Sequence, residues 1–597
     1  MKQKKLIPAL LLVLCLLLSA CQAGPVRPDF SLGTFFPGTE SPETEEPTEE
    51  SSRVMPEYTP YWEYERPEEA DLEERPFDEI EYVRPDTASM ISAFAALQAR
   101  VEAGASAEEI LEDYRPIDRD TTFFSTMDSY ANIRYTLDLN DTYFDEEYNW
   151  CEEQSPLLSQ AEEKCFIAMA KSPARDELEE AYFGEGFFDY YDDNQVYSND
   201  RVVELMQQES DLQSKYMALQ NNLTISWHGK ETPLMDILSD PDLDYPGYLE
   251  AIELYYDKYN GPCAEIMMGL IRVRNEIAAE LDYDSYADFA YSFYFERDYT
   301  PADVEGYLEN IQEYMGPLYF TASSCSYELP MEPEETMELL SGVAHSLGRE
   351  FAAAYDYMTD FQLFDITSSP SKMPGSYMTY LPSYEMPFMY VSPEHDIGDL
   401  MTAAHEFGHF TDGFVNCGGT TSIDCSEIFS QALEYMSLNV ADLDEEVRAS
   451  LTRAHAADAV MVFLNQACYA DFESRIYALP EDELTADRLN QVFAECCQDY
   501  LYVPEGSEAL VGPGWFEIQH FFIAPQYVIS YCISLDAALQ VYEQELENGN
   551  GIDIYFDLLS KSSGNSILAL LEEAGLDSPF REGRTEELSN FLYELTR

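Results

Sequence analysis

Two imidazoles separated by three residues face the same ligand when the backbone between them is helical. His405-Glu406-Phe407-Gly408-His409 is therefore the stretch that most constrains this chain of 597 residues. Ile397, Leu400 and Met401 precede it at the spacing of a buried helical stripe, so a helix is predicted from about Asp396 through the motif. One helical turn places His405 and His409 on one face, able to grip a single zinc ion. Glu406 lies beside that face and can reach a water, which zinc makes acidic enough for a carboxylate to deprotonate as it attacks a peptide carbonyl. In a chain with seven histidines a chance match to this pattern has an expectation on the order of 0.01. The competing reading is two satisfied histidines on a helix surface.

A catalytic zinc takes three protein ligands and keeps one position open. Downstream, Asp424-Cys425-Ser426-Glu427-Ile428-Phe429-Ser430-Gln431-Ala432-Leu433-Glu434 begins a second predicted helix, with Asp424 or Ser426 as its cap. Glu427 or Glu434 could turn inward as the third ligand, and spacing alone does not choose between them. Each competes with the ordinary fate of a helix glutamate, which is solvation.

Elsewhere the pattern is mostly helical. Thr87 to Glu102, Gln160 to Lys171, Val202 to Gln220 and Ala264 to Leu281 carry apolar residues at three-to-four spacing, and alternation of the strand type is scarce. Its clearest cases are Gly375 to Leu381 and Pro387 to Val391, just before the histidine motif. No internal repeat stands out. A hydrophobic content of 46% excludes a wholly disordered chain. A formal charge of −83 excludes nucleic acid as a partner. Beyond Cys15 and Cys21 the cysteines are scattered without a CxxC pair, and Cys417 with Cys425 is a candidate disulfide. His228, His345, His395 and His455 lack partners at ligand spacing and read as structural or exposed. Asn222-Leu223-Thr224 matches a glycosylation acceptor to which no role is assigned.

The N-terminus carries a different message. Met1-Lys2-Gln3-Lys4-Lys5 and the apolar run Leu6 to Leu18 form a secretory signal too short to span a bilayer. Leu18-Ser19-Ala20-Cys21 resembles a bacterial lipobox, whose cysteine becomes the lipidated N-terminus. The segment that follows is rich in Pro, Glu, Ser and Thr and cannot bury enough apolar surface to fold. As a coil, roughly 50 such residues reach about 40 Å.

The residues of the motif and the second helix resemble the oligoendopeptidase F and thimet oligopeptidase family of zinc peptidases. His405 to His409 is similar to the family signature, and Glu427 to Glu434 to its Glu-x-x-Ser-x-x-x-Glu segment. That resemblance implies Glu427 as the third ligand and a supporting role for Glu434. Leu270 to Ala278 with Asp282 to Tyr286, and Ser129 to Tyr135, resemble the body of the oligoendopeptidases, so the likeness runs from about residue 80 to the C-terminus. It further implies that Gly375 to Tyr377 is a strand pairing with bound peptide, reading backbone rather than side chains. Trp515 to Phe521 and Tyr527 to Tyr531 are similar to the family's His and Tyr segment, which implies that His520, Tyr527 and Tyr531 donate hydrogen bonds to the developing oxyanion. The competing reading of His520 is a core histidine on an aromatic helix. Pro525 interrupts this run, and the spacing from His520 to Tyr527 departs from the family pattern.

The sequence thus predicts a mainly α, two-lobed zincin with a small antiparallel sheet beside the active-site helix and a deep substrate channel. Residues 1–21 are read as a lipoprotein signal peptide, 22–80 as an acidic tether, 81–200 as an N-terminal helical region and 201–597 as the catalytic domain. The metal ligands are His405, His409 and Glu427, holding one zinc ion. Glu406, His520, Tyr527 and Tyr531 are the catalytic side chains. The expected activity is endopeptidase cleavage of short unstructured peptides outside the cell membrane, with lipid on Cys21 as the only membrane contact and a monomer as the default state. The alternatives are an inactive peptide-binding lipoprotein and a zinc carboxypeptidase or dipeptidase on a similar scaffold.

Overall fold

A computed structural model describes residues 75–597 apart from 185, 190, 192–198, 221, 222, 239, 241, 242, 419, 421, 563 and 564. The signal peptide, Cys21, Asn222 and most of the expected tether lie outside the described residues. Helices dominate. The first large one, Thr87–Glu102, begins where Asp86 accepts a hydrogen bond from Ser89 N at 3.2 Å. The next, Ala107–Leu137, starts in a full capping box between Ser106 and Glu109, and Thr142–Ala170 is capped by Asp141. These three pack on one another. Asp200–Gln220 packs against Tyr245–Glu280, which buries an apolar stripe from Ala251 to Ala278. No helix among the described residues is long and apolar enough to cross a membrane.

Strands are few. β1 (Thr224–Trp227) and β2 (Lys230–Pro233) form an antiparallel hairpin that the sequence pattern does not announce. The second sheet holds β3 (Phe364–Asp365), β4 (Ser376–Leu381) and β5 (Met386–Val391) in the order β3-β5-β4. β4 and β5 are the two strands expected from sequence and pair antiparallel from Ser376 opposite Val391 to Leu381 opposite Met386. The short β3 adds a parallel pair, so the sheet is mixed rather than purely antiparallel. Every residue of β5 is buried because helix Asp399–Val415 covers it on one side of the sheet. β4 forms an edge of the sheet among the described residues, and helix Ala107–Leu137 anchors both β4 and β5: Thr136 Oγ1 and Tyr377 OH share a hydrogen bond of 2.5 Å, while Tyr390 OH of β5 donates to Thr136 O at 2.9 Å.

The centre of the molecule is a stack of long helices. Asp399–Val415 packs on Ile423–Val440, which packs in turn on Ile529–Asn548, and Glu445–Tyr477 closes against the last of these. Gly408 is what lets the first pair approach. A Cβ at that position would sit 2.6 Å from both Phe429 O and Ser430 Cα, inside any permissible contact. The ten cysteines within the described residues are free thiols, so Cys417 and Cys425 are not bonded as the sequence suggests. Cys417 is exposed at the end of one helix, while the Cys425 thiol is buried and points to Asn565 O at 3.7 Å.

Candidate metal centre and active site

Helix Asp399–Val415 buries its stripe of Leu400, Ala403, Ala404 and Phe407 against the sheet and neighbouring helices, which turns His405 and His409 toward helix Ile423–Val440. Their rings stand 5.0 Å apart at 79°. On the facing helix Glu427 and Glu434 lie two turns apart and both point inward. Their positions settle what spacing leaves open. Glu427 Oε2 lies 3.5 Å from His405 Nε2 and 3.6 Å from His409 Nε2, and the three ligand atoms fall within 4.8 Å of one another. Glu434 sits on the other side of the first imidazole, accepting a hydrogen bond of 2.7 Å from His405 Nδ1. His409 Nδ1 meets Ser426 Oγ at 3.2 Å. Ser426 thus serves a histidine rather than capping the helix, which begins after Ser422; Asp424, the other expected cap, pairs with Arg297 at 3.4 Å.

Each histidine therefore spends its Nδ1 on an outer partner and aims Nε2 at the same small volume as Glu427. This is how imidazoles are oriented for a metal. His409 Nε2 is buried without a hydrogen-bond partner, as is Glu406 Oε2. Orphaned buried polar atoms carry a desolvation cost. A cation at the centre relieves it for His409, so the donor set of two imidazoles and a carboxylate fits a divalent ion of the zinc type. The electrostatics agree. Burial works to raise the Glu427 carboxyl, yet His409, His405 and Ser430 bring it down to about 2. Burial likewise opposes ionisation of Glu434, yet His405 and His455 bring it to about 2. The same carboxylates, Glu434 first, raise His405 to about 10 against its burial, so imidazolium charge offsets them, and a cation bound at Nε2 would take over that role.

His520, Tyr527 and Tyr531 come from a different part of the fold. A short helix, His520–Ile523, ends at Ala524, and helix Ile529–Asn548 follows after a break that contains Pro525 and Gln526, the latter at φ 67°. The break brings the three rings together, at 5.5 Å for His520 and Tyr527, 5.9 Å for His520 and Tyr531, and 5.2 Å for the two tyrosines. Tyr527 is fully buried, and its hydroxyl donates to Glu427 Oε1 at 3.2 Å. Ser430 Oγ donates to the other oxygen at 2.9 Å. Tyr527 therefore holds Glu427, whereas His520 and Tyr531 are the two members of the trio that are only partly buried. Burial lowers His520 to about 4 against the pull of Glu427, so its ring is neutral at neutral pH. Burial and Glu427 push the Tyr531 phenol above its ordinary value, so it too remains a neutral donor.

Sequence reasoning misses two partners. His455, which has no neighbour at ligand spacing, lies on helix Glu445–Tyr477 with Nε2 at 3.0 Å from Glu434 Oε2, extending the chain that begins at His405. Arg297 contacts the segment carrying Tyr527 and is fully buried. Neither has a local sequence signal, because both reach the site across the tertiary fold.

The helical body with its small sheet is built around a His-His-Glu cluster compatible with a metal site, with the carboxylate of Glu406 one residue from His405. The chain belongs to peptidase family M3. Residues 77–195 match the peptidase M3 N-terminal domain and residues 353–589 match peptidase family M3 itself. Among characterised sequences it is similar to group B oligopeptidase PepB of Streptococcus agalactiae serotype III, 26% identical over 228 residues. That alignment covers 34% of this chain and spans only 38% of the relative's length. Among solved structures the fold is similar to PZ peptidase A with an inhibitor, at a TM-score of 0.73 and 22% identity over 87% of this chain and 99% of the other. It is also similar to oligoendopeptidase-F from Enterococcus faecium, at a TM-score of 0.54 and 15% identity over 85% and 97%.

Proposed function

We propose that the chain is a zinc-dependent endopeptidase that hydrolyses internal bonds of short unstructured peptides. The observation that carries this reading is the convergence of His405, His409 and Glu427 within 4.8 Å, beside the orphaned carboxylate oxygen of Glu406. When bound, zinc supplies Lewis acidity, which makes water a stronger acid and a peptide carbonyl a better electrophile. Glu406 takes the proton from the attacking water and then delivers it to the leaving amine. His520 and Tyr531 donate hydrogen bonds to the oxyanion as the tetrahedral intermediate forms. Tyr527 and Ser430 hold Glu427 in place, and Glu434 holds the imidazole of His405. β4, the last strand in the order β3-β5-β4 among the described residues, is where an extended peptide would add its backbone, so recognition would tolerate varied sequences. The channel between two lobes that the family resemblance implies would restrict entry to unfolded chains.

The N-terminal pattern supports placing this activity outside the cell membrane, with lipid on Cys21 and the acidic segment behind it acting as a tether. The deciding experiment incubates the soluble domain with short unstructured peptides, with and without a zinc chelator, and identifies products by mass spectrometry. Chelator-sensitive internal cuts are expected. Products trimmed one or two residues at a time from an end would move the assignment to an exopeptidase. Metal-loaded protein that leaves every peptide intact would move it to a peptide-binding lipoprotein.

A further inference from the structure

The stretch that carries Tyr527 is neither helix nor strand between Ala524 and Val528, yet it is buried. Backbone groups in such a turn must find partners outside regular structure. Here they find charged side chains. Gln526 N donates to Glu473 Oε1 at 2.9 Å. Arg297 Nη1 donates to Gln526 O at 3.0 Å, and its Nη2 donates to Ser530 Oγ at 2.8 Å. The guanidinium is thus forked across the turn, one arm on either side of Tyr527. On its third side, Arg297 Nε lies 3.4 Å from Asp424 Oδ2, which also accepts from Tyr299 OH at 2.8 Å. Asp424 sits three residues before Glu427 on the same helix. The side chain is 0% exposed and lies 4.2 Å from the ring centroids of both Tyr291 and Phe295, with Tyr299 at 5.4 Å, so it has one conformation open to it.

We infer that Arg297 is a positioning residue for the active site: its guanidinium fastens the turn that bears Tyr527 to the helix that bears Glu427, and so sets the hydroxyl-to-carboxylate contact that orients this ligand. The role requires Arg. A lysine offers one compact ammonium and cannot span Gln526 O, Ser530 Oγ and Asp424 together. The clamp acts at a distance through Tyr527 and does not itself touch substrate. A second buried arginine, Arg274, holds the carbonyls of Phe521 and Phe522, but it reaches neither Tyr527 nor the ligand helix among the contacts described.

This inference rests on the peptidase reading for its kinetic readout only; metal affinity tests it independently. The experiment is a double-mutant cycle between Arg297→Lys and Tyr527→Phe in the soluble, zinc-loaded protein, following kcat, KM and the zinc dissociation constant by chelator competition. Each single variant is expected to weaken zinc about 10-fold, the lower end of the cost of losing an outer partner of a ligand, and to lower kcat with KM little changed. The double variant is expected to be no worse than the poorer single one within about threefold, because both changes break one linkage. Effects that multiply, or an Arg297→Lys protein indistinguishable from wild type, overturn the inference. Ser530→Ala removes one arm of the fork without unpairing a charge, and serves if Arg297→Lys fails to fold. It is expected to weaken zinc in the same direction, and no effect on zinc there counts against the clamp. Arg272→Lys, in an exposed pair with Glu481, is the control and should leave every readout unchanged. A wild-type protein that binds zinc but cuts nothing would sink the peptidase reading while leaving the metal-affinity cycle interpretable.

Discussion

The site is assembled from two regions that are organised on opposite principles. The helix pair Asp399–Val415 and Ile423–Val440 presents His405, His409, Glu427 and Glu434 from regular backbone, at spacings of one and two turns. The segment from His520 to Tyr531 presents its rings from a short helix, a left-handed Gln526 and the first turn of another helix. In the first region helical geometry places the side chains, and close packing at Gly408 sets the distance between the helices. In the second, nothing periodic places them. Their positions depend on buried hydrogen bonds that Arg297 and Arg274 donate and Glu473 accepts, side chains drawn from elsewhere in the chain. Rigid helices hold the groups that must grip an ion. An irregular segment, fastened from outside, holds His520, Tyr527 and Tyr531, the aromatic groups proposed to act on substrate or to support Glu427.

This contrast can be broken at either end. Glu406→Gln keeps the helix, the packing and the metal donors but removes the base, so peptide cleavage should fall by about 10²- to 10⁴-fold with zinc content unchanged by elemental analysis. Near-normal turnover in that variant would remove Glu406 from the mechanism. Tyr531→Phe tests the irregular region. Loss of an oxyanion donor should lower kcat by about 10²- to 10³-fold with zinc affinity intact, whereas Tyr527→Phe should weaken zinc as well, because only Tyr527 touches a ligand. Equal effects of the two tyrosines on zinc would erase the distinction between ligand support and substrate contact.

Smaller effects sharpen the comparison. Gly408→Ala forces a Cβ against Phe429 O and Ser430 Cα, which are backbone and cannot yield cheaply. The expected cost is about 1–3 kcal/mol of stability, read from thermal or chemical unfolding, together with weaker zinc binding. Full stability would mean that the helices are free to part. The least effect concerns His520, whose pKa is lowered by burial to about 4. A histidine depressed in the folded state takes up its proton first when unfolded, so stability is lost as pH falls from about 6.5 to about 4 and is unaffected above that window. His520→Gln should flatten this part of the melting temperature against pH. An unchanged slope would show that the ring is not desolvated.

The helix pair is legible in the sequence because both its chemistry and its geometry are local. The histidines lie four positions apart and the glutamates seven, and the flanking apolar stripe shows which face is inward. Even there the assignment of Glu427 over Glu434 needs the neighbouring helix, since both carboxylates point to the same side. Asp424 and Ser426, expected as caps, are partners of Arg297 and His409 instead. The irregular segment is legible only as a set of aromatic residues, and its likeness to a family supplies the expectation that they belong to the site.

By itself, the sequence determined a helix-rich chain, the two strands ahead of the histidine motif, and the donor types of the metal cluster, because helix and strand periodicity and ligand chemistry are written in short windows. Only the tertiary structure put Glu427, which spacing alone does not single out and the likeness to a family implies, between the two imidazoles, set the Tyr527 hydroxyl on that carboxylate, and brought His455 and Arg297 to their partners Glu434 and Asp424. The physical reason is that buried polar groups must be satisfied wherever the fold leaves them. Their partners are chosen by proximity in space, to which spacing along the chain gives no guide.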